Sequence, residues 1–212
     1  MRSNHISVSG IVLLTGLLVL NGCLGSPGKA PPIRYYVLTS ASGAENKDAS
    51  VAILKDAIIG VGPIKLSQVL DRPQIIMRTS KNEIRVADLE RWAGPLQEIV
   101  ANVMVDNFAV LLPGTEVLTF PWQVTIPVTH QVAIDITQFD GMPGADVILR
   151  TRWSILGEGA KKILANKQTV LNEPVGGNTI AEMVSAQSRV LEKLCREIAV
   201  EIKRLEETGA RQ

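Results

Sequence analysis

The sequence predicts an α+β fold, a two-layer sandwich in which an antiparallel β-sheet carries two α-helices packed on one face. Three observations predict it. Of 212 residues, 46% are hydrophobic but only 4% aromatic, so the core is built from Val, Ile, Leu and Ala. Several segments alternate apolar and polar residues and are separated by Gly-rich turns. Two others, one mid-chain and one C-terminal, space their apolar residues by three and four.

Each element follows from its residues. Ile33 to Leu38 has strand composition, and the polar run from Ser40 to Ser50 is a loop. Val51 to Gly62 is rich in β-branched residues, while Gln74 to Arg78 and Ile84 to Val86 form a hairpin about Lys81-Asn82-Glu83. This first half is expected to be antiparallel. From Asp88 the spacing of Leu89, Trp92, Leu96, Ile99, Val103 and Val110 predicts a helix, with Asp88 as N-cap and Pro113-Gly114 as its stop. Gly94-Pro95 interrupts it, so the helix either starts at Pro95 or has a kinked turn before it. Strands are expected at Glu116 to Phe120, Val124 to Phe139, Ala145 to Leu156 and Lys162 to Glu173, with turns at Gly141 to Gly144 and Gly157 to Gly159. Thr179-Ile180-Ala181-Glu182 has the form of a capping box. After it Met183, Leu191, Leu194, Ile198 and Ile202 keep one helix face apolar.

The N-terminus sets the compartment. Arg2 precedes an apolar run from Val8 to Leu20, which is shorter than the roughly 20 residues a spanning helix needs and reads as a secretory signal. Leu20-Asn21-Gly22-Cys23 resembles a bacterial lipobox, with Leu20, Asn21 and Gly22 read by the signal peptidase and Cys23 carrying the lipid. Asn21 departs from the small or hydroxylated residue common there. The expected organisation is a signal peptide at 1–22, a lipidated tether at 23–32 containing Pro27, Pro31 and Pro32, and a domain at 33–212. Several acyl chains on Cys23 anchor stably, whereas one is marginal. By resemblance, Leu24 in place of aspartate directs such a lipoprotein to the periplasmic face of the outer membrane of a Gram-negative bacterium.

Composition excludes several functions. Lysine and arginine number 22 against 21 acidic residues, so no basic field collects nucleic acid. Two cysteines cannot make a disulfide framework, and two histidines leave little for catalysis or a metal site. His130 has no nucleophile at telling spacing, Cys195 lies on a helical apolar stripe, and Gly157-x-Gly159 lacks the rest of a dinucleotide loop. No catalytic residue, no metal and no cofactor beyond the covalent lipid on Cys23 is expected. In Tyr35-Tyr36, one ring should point in and one out.

Between Val61 and Arg78 a strand ends, the chain turns with Ile64 and Leu70 able to pin the loop, and Asp71-Arg72-Pro73-Gln74 leads into the next strand. An Asp71–Arg72 pair could brace this turn, and Trp92 could anchor helix to sheet. Together with Tyr35-Tyr36-Val37-Leu38, Arg91-Trp92-Ala93-Gly94-Pro95-Leu96 and Pro121-Trp122, the segment resembles the ABC-type transport auxiliary lipoproteins over nearly the whole chain. Departures are Leu66-Ser67 where that family often has Leu-Pro, Val69 where tyrosine is usual, and Gly94 where glutamate is favoured. The resemblance implies a non-enzymatic outer-membrane lipoprotein of an intermembrane lipid-transport system. Its partner would be the periplasmic component of an ABC transporter or a mammalian-cell-entry-domain protein. Asp71, Arg72, Pro73, Gln74 and Trp92 are the candidate motif, either for docking that component or for bracing the fold; the cargo would be phospholipid or another hydrophobic molecule, and a ring-like homo-oligomer would match the rings of cell-entry-domain proteins. The alternative class is a structural or assembly lipoprotein of the envelope that binds protein alone. An anchored hydrolase is disfavoured.

Overall fold

The computed structural model describes residues 31–40, 50–51, 54, 57–157 and 159–209. The elements in chain order are β1 (Arg34–Tyr36), β2 (Ile58–Leu66), β3 (Gln74–Ser80), β4 (Glu83–Trp92), α1 (Leu96–Leu111), β5 (Glu116–Thr119), β6 (His130–Gly141), β7 (Asp146–Gly157), β8 (Lys162–Pro174) and α2 (Ile180–Gly209). The signal, lipobox and Ser40–Ser50 loop readings fall almost wholly outside the described residues.

All eight strands join one sheet. At its centre β6 is antiparallel to β7, parallel to β2 along its first half, and parallel to β3 at Met77–Gly141. Outward from these, β8 pairs antiparallel with β7, β5 parallel with β2, β4 antiparallel with β3, and β1 parallel with β4. The α+β class holds, but the sheet is mixed where an antiparallel one was expected. Hairpins announce antiparallel neighbours through their turns. Parallel neighbours meet only through long crossovers, and no local signal marks them.

The helix expected from Asp88 is also corrected: residues 83–92 are strand, and α1 begins at Leu96 with Pro95 as N-cap. The register explains the misreading. Gln74 faces Arg91 but Ile76 faces Val86, so β4 bulges between Ala87 and Glu90, and the Leu89–Trp92 spacing imitates a helix. The strand expected at Val51–Gly62 is displaced to Ile58–Leu66, crossing Pro63 where the register against β6 shifts, a position that tolerates proline. Likewise β6 starts only at His130, and residues 124–129 are not strand.

Both helices cover one face and touch each other there. Alternation on β6 buries Val132, Ile134 and Ile136, and β7 adds Val147, Leu149, Trp153 and Ile155. From above, α1 contributes Val100, Met104, Phe108 and Leu111, and α2 contributes Met183, Leu191, Leu194, Ile198 and Ile202. The capping box of α2 forms as its sequence predicts: the Thr179 amide donates to Glu182 Oε2 (3.0 Å) and the Glu182 amide to Thr179 Oγ1 (3.2 Å). These bonds satisfy two amides that the first helical turn leaves open.

Candidate docking site

The loop between β2 and β3 is held by its backbone. Ser67 N–H donates to Ile136 O (3.0 Å), and Leu70 and Asp71 N–H both return to Ser67 O (2.9 and 3.2 Å). Leu70 (3% exposed) and Ile64 (4%) are buried and pin it, as expected from the sequence. The departure at Ser67 is therefore functional in the fold, since proline there would lack the donor to Ile136. Val69, a second departure, is exposed, and Gly94, the third, has open space where a Cβ would stand.

Trp92 N–H donates to Pro73 O (2.7 Å) and Ala93 N–H to Tyr36 O (2.9 Å), which ties β1, the entry of β3 and the start of α1 to one corner. There a cleft of about 320 Å³ opens, lined by Asp71, Arg72, Pro73 and the chain from Trp92 to Leu96. The structure thus brings together four of the five residues singled out, Asp71, Arg72, Pro73 and Trp92. Gln74 lies outside the lining, paired in register with Arg91. Trp92 is buried in the core and anchors the corner. Tyr35 is 63% exposed while Tyr36 packs on the core, the expected alternation.

The charges in the cleft are not spent on each other. Among the described residues no ion pair joins Asp71 to Arg72, and the Nε of Arg72 is buried without a hydrogen-bond partner. The bracing expected of that pair is supplied instead by the backbone bonds at Ser67. α1 opens at the cleft with Pro95 as its cap and no side-chain capping bond. Its positive end and the half-buried guanidinium together favour an anionic group.

Candidate chemistry elsewhere is structural. His130 is buried, with Nε2 3.4 Å from Glu206 Oε1 and Nδ1 3.2 Å from Thr129 Oγ1, and burial pushes its pKa down. Cys195 is fully buried, takes a contact from Asn107 Nδ2 (3.8 Å), and has its thiol pushed well up by desolvation. No cluster of His, Cys, Asp and Glu among the described residues could hold a metal, and no described helix is long and apolar enough to cross a membrane.

Sequence reasoning missed a second cavity, formed by residues 120–128 with Gln131, Gly159 and Ala160. The signal was present: no Asp, Glu, Lys or Arg occurs between Glu116 and Asp135, although much of that stretch is surface loop.

The described domain is thus a mixed sheet with two helices on one face and, at one corner, an open cleft that holds the half-buried Arg72. The chain belongs to the ABC-type transport auxiliary lipoprotein component family, whose model matches residues 36–199. It is 27% identical over 191 residues to the intermembrane transport lipoprotein PqiC of Escherichia coli (strain K12), covering 89% of this chain and 94% of that protein, and matches PqiC of Shigella flexneri equally. In fold it resembles the crystal structure of an uncharacterized protein (TM-score 0.67, 20% identity, covering 81% of this chain and 99% of the other). It also resembles a Xanthomonas campestris protein (TM-score 0.64, 15% identity, 84% and 99% covered).

Proposed function

We propose that this protein is a non-enzymatic auxiliary component of an intermembrane lipid-transport system. In this reading the signal at 1–22 is removed, Cys23 is acylated after recognition of Leu20, Asn21 and Gly22, and a tether at 23–32 holds the domain 33–212 on the periplasmic face of the outer membrane. The domain docks the periplasmic part of the transporter, a protein with mammalian-cell-entry domains. Family membership and the similarity to PqiC support the transport role.

The observation that carries the docking assignment is the cleft at Asp71–Arg72–Pro73 and Trp92–Leu96, where a half-buried guanidinium has no partner for its Nε. Arg72 as a whole is only half-buried and makes no ion pair among the described residues, so a carboxylate from a partner can approach it, and a charge-assisted hydrogen bond there contributes about 1.5–3 kcal/mol. Arg72→Glu is expected to reduce recovery of the transporter in co-purification by at least about tenfold, since a repelled charge at an interface costs more than 1.4 kcal/mol. Its thermal unfolding midpoint should stay near that of the parent. Undiminished co-purification would assign Arg72 to the fold alone.

A further inference from the structure

The outer edge of β8 carries the unused half of a hydrogen-bond ladder. In the antiparallel β7–β8 pairing, opposite residues alternate between pairs that exchange hydrogen bonds and pairs that do not. Val175 N–H donates to Ala145 O (2.8 Å), which sets the phase. Lys167, Thr169, Leu171 and Glu173 therefore turn their backbone groups to β7, and Asn166, Gln168, Val170 and Asn172 turn theirs away. Pro174, next in the second set, lacks an N–H and gives its carbonyl to Arg189 Nη2 (3.0 Å). The backbone donors and acceptors of Asn166, Gln168, Val170 and Asn172 have no partner among the described residues.

Native folds blunt such an edge with charge, proline, a bulge or a covering element. Here the register shift lies at Leu164 and the proline at 174, and the exposed side chains between them on the outer face are Asn, Gln, Val and Asn, none of them charged. The alternate residues Lys167, Thr169 and Glu173 are fastened to α2, so the edge is already ordered to receive another strand.

Charge selects the occupant. On the flank toward α2 the side chains of Lys167, Arg189, Lys193 and Arg204 are 44–59% exposed, whereas Glu201 and Glu173, which they bind, are 7% and 9% exposed. Glu197 is half-buried on Thr169. The cations face water while their acids are enclosed, so this flank presents positive potential. On the opposite face Arg152 and Arg150 of β7 stand in register with Gln168 and Val170. Arg152 reaches Asp135 (3.3 Å), and Arg150 is exposed with no ion pair among the described residues. A second copy of this chain would set these cations against their like. An anionic membrane would match the charge but brings no donors for the open carbonyls.

We propose that the open edge of β8 receives an extended acidic segment of a partner protein as a further strand of the sheet. Its backbone completes the ladder over residues 166–172, and its carboxylates meet Arg189 and Lys193 on one face and Arg150 on the other. The edge shares no residue with the Asp71–Trp92 cleft, so either assignment can fail without the other.

The test uses the full-length protein in detergent micelles and a synthetic peptide of alternating valine and glutamate, with hydrogen exchange resolved to single amides by electron-transfer fragmentation. In the free protein the amides of Gln168, Val170 and Asn172 should exchange fast and those of Lys167, Thr169 and Leu171 slowly. The glutamate peptide should slow the first group by about tenfold or more, and a valine–lysine peptide should not. Val170→Pro removes an outward donor and leaves the β7 ladder intact, so it should abolish the slowing with circular dichroism unchanged. A glutamate peptide N-methylated at successive residues repeats that test from the partner's side and should also be inert. Arg150→Glu should weaken the glutamate peptide severalfold, and Arg72→Glu should leave it unchanged. Absence of slowing by the glutamate peptide, equal slowing by the lysine peptide, or slowing that survives N-methylation would overturn the proposal. Protection in the free protein that rises with its concentration would assign the edge to a second copy instead, and protection by phosphatidylglycerol vesicles alone would assign it to a membrane.

Discussion

Asp140 lies at the inner end of β6 with its side chain 2% exposed, and it survives there as a charge acceptor through three bonds. Arg78 donates from Nε (2.9 Å) and Nη2 (2.7 Å), and Gln138 Nε2 donates at 2.8 Å. The paired fork holds β3 to the far end of β6, where only Met77 and Gly141 are in register. Arg78→Ala strands the carboxylate and is expected to lower the unfolding free energy by about 3 kcal/mol in urea titration. Replacing Asp140 by Leu and Arg78 by Met together should recover most of that loss. Arg72 presents the opposite case, since its Nε is buried and unmatched among the described residues. Sequence made both arginines visible but could not tell them apart, because partnership depends on where the ladder ends. By contrast, the inward and outward rings of Tyr35-Tyr36 and the burial of Cys195 were legible from local pattern alone.

At the scale of elements, β8 pairs with β7 alone among the described residues, and its inner face is fastened to α2 by charge. Glu201 accepts from Lys167 (2.8 Å) and Arg204 (2.6 Å), and Glu173 accepts from Arg189 and Lys193 (both 2.6 Å). Between them Thr169 takes the indole N–H of Trp153 (2.9 Å) and donates to Glu197 (2.8 Å). The Arg204 bond, helped by Lys167, brings the Glu201 carboxyl down to about 2. Glu173 is also lowered: burial opposes the shift, and Arg189 and Lys193 outweigh it. A depressed carboxyl contributes its stability in full above the unfolded value near 4.5 and loses it as pH falls toward the folded one. Urea midpoints should therefore drop between pH 4.5 and about 2, and Glu201→Gln should flatten that part of the profile. An equal slope in the variant would exclude this fastening as the source. The helix stripe and capping box of α2 were plain in the sequence because both are local and periodic. The start of β4 at Ile84–Val86 was legible as the second arm of its hairpin with β3, but its far half was not, because the bulge broke the period of two and Trp92 fell at helical spacing.

For the whole molecule, the proposed anchor sets what remains in service. Without residues 1–22 the chain loses one basic residue, Arg2, and no acidic one, so the mature protein is formally neutral. Under the proposed anchoring, Cys23→Ser is expected to abolish metabolic labelling with palmitate and shift the protein out of the outer-membrane fraction. Unchanged fractionation would refute the lipid anchor. The layers, their number and the pairing of helices with one sheet face could be read from periodicity. The cavity behind residues 120–128 could not, because it depends on Gly60 and Gly62 meeting a loop some 60 residues away. The position of β6 also governs the order of assembly. Strands β2 and β3 are made long before the strand that both must flank, and their parallel edges stay open until residues 130–141 arrive. Before β6 joins, the N-terminal half can pair β3 with β4 and β1 with β4, but neither unit is continuous with β2. Both pairings span long loops whose closure costs entropy, so the sheet becomes continuous only when its middle strand has joined.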